Sequence, residues 1–209
     1  MSNENEKKTR RRPYTLKARA RRWDEVHANI TRAAVSLHQS VGPARTTMEA
    51  VARRAGVRRA TVYNHFPTEH SLIDACSSHW FSENPPPDPS AWAAVVDPLK
   101  RARLALESMY RYYAQGQGML EKVLRDAPVV PAMDEIRREK WQPLLDSVID
   151  LLMHAFDPAQ RTAALQVSLA LAFDFFTWQR LAAAELAPKA AASLAVRWID
   201  ASMKTTPTG

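Results

Sequence analysis

Glycine, the residue that tight turns and irregular strands most often require, occurs at only five of the 209 positions of this chain. Such scarcity disfavours a fold built on strands and favours helices. Over residues 17–41 the apolar side chains recur at steps of three and four, which is the spacing of one helix face, and similar patterns fill most of residues 91–203. Proline, at 14 positions, separates these segments. The sequence therefore predicts an all-α fold.

Charge is divided unevenly along the chain. Residues 1–66 carry 15 basic and 5 acidic side chains, a net charge of +10, whereas residues 67–209 carry 14 and 17, a net charge of −3. A concentrated positive charge is typical of a segment that contacts a polyanion. The pattern points to nucleic acid as the partner of the first third of the chain, and to a body that does not lie on it.

Several classes of protein are disfavoured by the same reading. No apolar run approaches the roughly 18 residues of a membrane span, and the most apolar stretch, Ala163–Ala184, is interrupted by polar residues. No apolar segment follows the basic N-terminus, as one would in a secretory signal. Cys76 is the single cysteine and cannot form an internal disulfide. We expect a cytoplasmic protein without a membrane partner.

Four segments are expected from composition and punctuation. Residues 1–16 form a disordered basic tail, residues 17–67 a basic helical segment, and residues 68–89 a connecting helix with a proline-rich linker. Residues 90–205 form a helical body. Within it, helices are expected at 91–114, 117–126, 132–156, 158–186 and 188–203, with a break at Gly116 and Gly118 and a kink at Pro143.

The basic third contains two short helices joined by a tight turn. Thr46 precedes Glu49 by three residues, the spacing of a capping box that opens a helix. Gly56 follows at a sharp turn, and residues 57–66 continue in helical register. This is the helix-turn-helix arrangement, whose second helix enters the major groove of DNA.

The candidate DNA-binding side chains lie on and beside that second helix. Arginine can donate two hydrogen bonds to guanine and asparagine can pair with adenine, whereas threonine and tyrosine hydroxyls suit phosphates. The candidates are Thr47, Arg58, Arg59, Thr61, Tyr63, Asn64 and His65. An exposed charged helix face, packing by Tyr63 and simple capping by Thr47 are the alternatives.

The basic tail is a further candidate. Arg10, Arg11 and Arg12 could reach along the duplex or into its minor groove, as basic arms do. The alternative is that these side chains are merely solvated.

About 45 residues of this region resemble the tetracycline-repressor (TetR) family of transcriptional regulators. The residues that carry the resemblance are Ile30, Ala33, Ala34, Leu37, Gly42, Thr46, Thr47, Val51, Ala52, Ala55, Gly56, Val57, Thr61, Val62, Tyr63, His65, Phe66, Pro67 and Leu72. Four positions depart. His38 and Pro43 stand where the family often has aromatic residues, Arg58 replaces the usual serine cap, and Glu69 replaces a lysine that commonly touches phosphate. The resemblance implies a homodimer of all-helical subunits, in which residues 17–67 are a helix-turn-helix DNA-binding domain with a three-helix head. It also implies that residues 90–205 are a dimerisation domain that often binds a small apolar ligand.

Residues 158–186 are apolar on more than one face, which is typical of a helix buried on two sides. One stripe is expected to face the core of its own subunit and the other a partner subunit, as in the family's four-helix interface. The candidate interface residues are Val167, Leu171, Phe175, Trp178, Leu194 and Trp198.

A ligand pocket is expected within the body, on helices that the family places around its cavity. Large side chains with polar tips suit such a site. The candidates are Tyr110, Tyr113, Met119, Trp141, Leu145, Phe173 and Phe176. Ordinary core packing is the alternative for each of them.

We interpret the chain as a regulator, most simply a repressor that binds a palindromic operator in double-stranded DNA and is released by a small-molecule effector. An architectural DNA-binding protein without an inducer is the alternative. No enzyme, cofactor or metal is expected, because phosphate-loop, nucleophile-elbow and zinc-protease motifs are missing. Cys76 and His79 form only half of a zinc motif, and a redox-sensing role for Cys76 is a minor alternative.

Overall fold

The computed structural model describes the backbone of residues 4–204 and the side chains of residues 17–204. Within that range the chain has α-helices and short helical turns and no β-strand, so the all-α prediction is confirmed. The α-helices are α1 (Glu4–Val41), α2 (Met48–Ala55), α3 (Arg59–His65), α4 (Glu69–Glu83), α5 (Ser90–Ala93), α6 (Pro98–Asp126), α7 (Pro131–Ile136), α8 (Gln142–Met153), α9 (Ala163–Phe173), α10 (Phe175–Ala183) and α11 (Pro188–Lys204).

Helices α2, α3 and α4 pack with α1 into a small head that has its own apolar core. That core consists of Ile30, Ala34, Val51, Ala52, Val62, Phe66, Leu72 and Cys76. A second, larger core is formed by α6 and α8 to α11, and a third cluster joins α4 to α7 through Ile73, Met133 and Ile136. No helix within residues 4–204 is long and apolar enough to cross a membrane.

The start of α2 differs from the sequence prediction by one residue. Thr47 is its N-cap, and its hydroxyl accepts a hydrogen bond from the N–H of Ala50 at 3.1 Å. The predicted capping box of Thr46 and Glu49 is wrong, because the Thr46 hydroxyl donates to the carbonyl of Gly42 at 2.8 Å. Either of the two adjacent threonines could cap α2 as far as the sequence shows, and the position of the preceding turn determines that Thr47 does so.

The first helix is longer than the sequence predicts. Its backbone is helical from Glu4, whereas the sequence predicts a disordered tail over residues 1–16, of which residues 1–3 lie outside the described range. Glutamate, lysine and arginine are good helix formers. Once α1 is packed against the head, adding residues to its end requires no new nucleation.

Helix α6 runs without interruption through Gly116 and Gly118, where the sequence predicts a break. Glycine inside a helix costs about 1 kcal/mol relative to alanine, which packing can offset. At Gly116 a Cβ would lie 3.1 Å from Cζ2 of Trp80. The missing side chain therefore lets the indole of α4 lie close against α6.

The predicted helix over 158–186 is two helices, divided at Asp174. The backbone of Asp174 is extended, and its carboxylate caps α10 by accepting from the N–H of Thr177 at 2.9 Å. The hydroxyls of Tyr110 and Tyr113 donate to the carbonyls of Ala172 and Phe173 at 2.7 and 2.6 Å. These carbonyls belong to the last turn of α9, where a helix leaves acceptors without intrahelical partners.

A π-helical turn over Arg137–Trp141 joins α7 to α8. The sequence predicts a kink at Pro143, and the distortion lies in the turn before it. Pro143 has no N–H to offer the carbonyl four residues earlier, which favours a locally widened helix. The turn places Lys140 and Trp141 toward α4.

Candidate functional site

The helix-turn-helix unit is held on the head by its buried side. Gly56 ends α2 in the left-handed conformation, with φ 67°, and the N–H of Val57 donates to the carbonyl of Ala52 at 3.0 Å. Val62 is fully buried, and the amide of Asn29 on α1 donates to the carbonyl of Ala55 at 2.8 Å. These contacts leave only one side of α3 free.

The free side of α3 carries most of the predicted DNA-binding residues. Arg58, Arg59, Tyr63 and Asn64 are exposed, and Thr61 is half-buried. Arg59 donates to the Tyr63 hydroxyl at 3.2 Å, and its guanidinium lies 5.4 Å from the centre of the Tyr63 ring. Because the two residues are one turn apart, this pair orders both side chains on the surface.

His65 is separated from that surface. Its ring stacks on Trp23 of α1 with a centroid distance of 3.7 Å, and it lies 5.9 Å from the ring of His27. Burial, with His27 as a second cause, lowers the pKa of His65, and its Nδ1 is buried without a hydrogen-bond partner among the described residues. The structure therefore places the His65 ring against α1.

Thr47 lies at the start of α2, is exposed, and caps that helix. Arg45, Arg53 and Arg54 extend the exposed positive charge of the head beside it, and Arg54 donates to the hydroxyl of Ser36 at 2.6 Å. The side chains of Arg10, Arg11 and Arg12 lie outside the described residues.

The head meets the body at a buried carboxylate that sequence reasoning missed. Asp126, at the end of α6, is 4% exposed; its Oδ2 accepts from the N–H of Ala44 at 3.0 Å, and its Oδ1 from Nε of Arg125 at 2.7 Å. Although burial raises the pKa of Asp126, these hydrogen bonds hold it below its ordinary value. Burial lowers the pKa of the neighbouring His38 to about 4.

A cavity of about 50 Å³ lies between α4, α6 and the π-helical turn. Its wall is mainly apolar and includes Trp80, Met119, Met133 and Trp141, with Lys140 among the lining residues. Of the residues predicted to form a ligand pocket, Met119 and Trp141 line this cavity.

The remaining predicted pocket residues lie elsewhere. Tyr110, Tyr113 and Phe173 are fully buried in the body core, where the two tyrosines bond to the end of α9. Leu145 is half-buried against the same core, and Phe176 is 38% exposed at the surface. The helix break at Asp174 turns Phe176 outward, which a continuous helix over 158–186 does not allow.

An apolar face remains open on α9 and α11, which pack against each other. Val167 and Leu171 are each 57% exposed, Trp198 is 41% exposed, and Leu194 is half-buried. The other two predicted interface residues differ: Phe175 and Trp178 are buried within their own subunit. The break at Asp174 again explains the change, since it rotates the residues that follow.

Cys76 lies in the head core, and its thiol donates weakly to the carbonyl of Thr31 at 3.7 Å. Burial raises the pKa of Cys76 to about 12. Because the thiolate is the reactive form, we expect iodoacetamide to modify native Cys76 about a thousandfold or more slowly than Cys76 of the unfolded chain. Mass spectrometry of timed alkylation checks this; equal rates in the two states would restore the redox-sensing interpretation.

Residues 17–204 contain no group of three histidine, cysteine, aspartate or glutamate side chains that could hold a metal ion.

Comparison with known proteins gives a consistent result. Residues 30–76, which span the helix-turn-helix unit, match the family model of bacterial regulatory proteins, tetR family. No curated protein sequence is significantly similar to the chain.

Solved structures share the fold over most of the chain. A TetR-like transcriptional regulator from Rhodococcus sp. RHA1 is 17% identical, with a TM-score of 0.61, over 87% of this chain and 97% of its own. A TetR transcription regulator from Haloarcula marismortui is 15% identical, with a TM-score of 0.58, over 85% of this chain and 98% of its own. The shared architecture includes the body as well as the head.

Proposed function

Because the chain belongs to the TetR family of bacterial regulatory proteins, we propose that it is a repressor that binds a palindromic DNA operator as a homodimer and is released by a small, largely apolar ligand. The observation that carries the proposal is the exposed polar face of α3, whose opposite side is buried in the head. Such a face matches what a recognition helix presents to base edges.

Two side chains are proposed as base readers. Arg58 stands at the N-terminus of α3, and Asn64 lies near its end, both exposed. Arginine suits guanine and asparagine suits adenine in the major groove. Thr61, Arg59, Tyr63 and Thr47 are proposed as phosphate contacts, whereas His65, which stacks on Trp23, is proposed to hold α3 against α1.

The homodimer is proposed to form through the apolar face of α9 and α11 that includes Val167, Leu171, Leu194 and Trp198. Each side chain is partly or largely exposed in the single subunit. A second copy of this face would remove those side chains from water. Two heads held in this way would meet half-sites roughly 34–36 Å apart on the duplex.

Release is proposed to follow from a ligand that binds more tightly to a conformation in which the heads do not fit the operator. A ligand shifts the equilibrium only by its differential affinity for the two conformations. The cavity beside α4 supports this proposal, because α4 directly follows the recognition helix and also contacts α7 of the body. A ligand that moves α4 in the cavity would therefore also move the recognition helix.

The substitutions Arg58→Ala and Asn64→Ala test the proposed base contacts. Each is expected to weaken operator binding by about 1–3 kcal/mol and to relax base preference at one position of each half-site. The operator is first isolated by selecting bound fragments from genomic DNA, and binding is then measured by fluorescence anisotropy on operators with single base changes.

Arg111→Ala is the matched control, since it removes one exposed arginine from α6 in the body. It is expected to leave both affinity and base preference unchanged. Equal affinity of the unchanged chain for the selected fragments and for random DNA would instead support the architectural alternative.

A further inference from the structure

The cavity beside α4 has a distinctive chemical lining. Its floor is apolar and polarisable, with Trp80, Trp141, Met119 and Met133. The charged residues in its wall are two cations, Arg137 and Lys140, and no carboxylate of the described residues lines it. An occupant is therefore best matched if it is mainly apolar and carries negative charge.

The two cations are held in different ways. Arg137 donates two hydrogen bonds to Asp134, at 3.0 and 2.8 Å. Asp134 lies on α7, which directly precedes the π-helical turn that contains Arg137. Lys140 instead reaches across to α4, where its ammonium lies 2.6 Å from the carboxylate of Asp74 and 2.7 Å from the hydroxyl of Ser78. Of the two cations, Lys140 is the one whose bonds join the π-helical turn to α4.

The Lys140 bridge is accessible to a competitor. The Lys140 side chain is 27% exposed and that of Asp74 is 47% exposed, so water and ligands reach both groups. Partly exposed ion pairs contribute little to stability. A ligand anion of similar chemistry can therefore replace Asp74 at the ammonium without a large free-energy cost.

The cavity is small and would have to enlarge to hold a ligand. About 50 Å³ holds only a few water molecules, whereas small-molecule sites commonly enclose roughly 300 Å³ or more. Methionine side chains adapt to new neighbours. The side-chain bonds of Lys140 hold the edge of the α4 wall to the π-helical turn, whereas the apolar cluster of Ile73, Met133 and Ile136 keeps α4 on α7. Replacing the Lys140 bonds therefore lets the wall yield at that edge.

We propose that the cavity binds an amphiphile with a single anionic head group. The head group accepts hydrogen bonds from Lys140 in place of Asp74 and Ser78, and the apolar part enlarges the cavity between Trp80 and Trp141. This proposal rests on the proposed function, because the freed α4 would change the position of the head. It names the class of effector and the bond that the effector replaces.

Three probes with one tail and different charges test the proposal: decanoate, decanol and decyltrimethylammonium, each below its aggregation concentration. Binding to the full chain is measured by calorimetry and by tryptophan fluorescence. Decanoate is expected to bind about tenfold or more tightly than decanol, because of its charge-assisted hydrogen bonds, and decyltrimethylammonium more weakly still. Equal or tighter binding of decanol or of the cation, or no binding of decanoate, would overturn the proposal.

Two substitutions with opposite expected signs test the replaced bond. Lys140→Gln is expected to reduce decanoate affinity to that of decanol, whereas Asp74→Asn is expected to tighten decanoate binding about two- to fivefold by removing a competitor. A purely structural role for the bridge would weaken binding in both variants, and that result would contradict the competition. Lys100→Gln, an exposed lysine at the start of α6, is the control and is expected to change nothing.

Operator binding without any probe separates this proposal from the proposed function. If the chain binds its selected DNA fragments but shows no preference for decanoate, the effector class is wrong and the repressor proposal stands. If no fragment is selected over random DNA while decanoate binds through Lys140, the repressor proposal fails and the anion site stands.

Discussion

Leu171→Glu is expected to convert the proposed dimer into monomers and to weaken binding to the proposed operator about a hundredfold or more, because a monomer engages only one half-site. Leu171 is 57% exposed on α9, one turn from the equally exposed Val167, and α9 packs against α11, which carries the exposed Trp198. In a dimer formed through this face, the new carboxylate would be buried without a partner. Burying an unpaired charge costs several kcal/mol, and each dimer would bury two of them, so the free energy of association is expected to be largely lost.

Val96→Glu is the matched control for this substitution. Val96 is 88% exposed between α5 and α6, so the same chemical change leaves the α9–α11 face intact. Analytical ultracentrifugation measures the oligomeric state, and fluorescence anisotropy measures operator affinity. A dimer that persists in Leu171→Glu with unchanged affinity would show that the chain associates through another surface.

The head is the part of the molecule that sequence reasoning predicts best. Its signals are local: helical spacing around Ile30, a left-handed glycine at position 56 and a proline after Phe66 all act within a few residues. The predicted start of α2 is wrong by one residue, because Thr46 and the adjacent Thr47 are equivalent caps by sequence and Thr47 is the one used. The inward orientation of His65 depends on Trp23, 42 positions earlier, and lies beyond a local pattern.

The body is predicted less well because one polar residue decides its register. Asp174 ends α9 and caps α10, so Phe175 and Trp178 turn into the core and Phe176 turns outward. In the sequence, Asp174 is merely an interruption of an apolar run. The Tyr110 and Tyr113 hydroxyls that donate to the carbonyls left without intrahelical partners at this break come from α6, about 60 residues away.

The junction between head and body was not predictable for the same reason. Asp126 accepts a hydrogen bond from Ala44, 82 positions earlier, and Lys140 bonds to Ser78, 62 positions earlier. No periodicity links such residues. These two polar contacts join the body to the head at different places, one at the turn after α1 and one along α4. The proposed ligand at Lys140 would replace the second.

Gly42→Ala is expected to destabilise the chain by about 3–5 kcal/mol, a magnitude typical of combined backbone strain and overpacking. Gly42 has φ 91° and ψ 160°, a region that only glycine occupies readily. A Cβ at this position would fall on Oδ2 of Asp126 and 2.8 Å from a guanidinium nitrogen of Arg125. The carboxylate would have to move away from Ala44, which would leave buried polar groups without partners. Urea unfolding measures the change.

Gly56→Ala separates strain from collision. Gly56 also has a positive φ, 67°, but a Cβ there meets nothing within 4 Å, so its cost is expected to be only about 1–2 kcal/mol. In an Asp126→Ala background the carboxylate that the new Cβ meets most closely is gone and the flexible end of Arg125 can move aside, so Gly42→Ala is expected to cost less than in the unchanged chain. This difference is the coupling free energy of a double-mutant cycle. If Gly42→Ala costs the same in both backgrounds, Asp126 is not what holds the turn after α1 against α6.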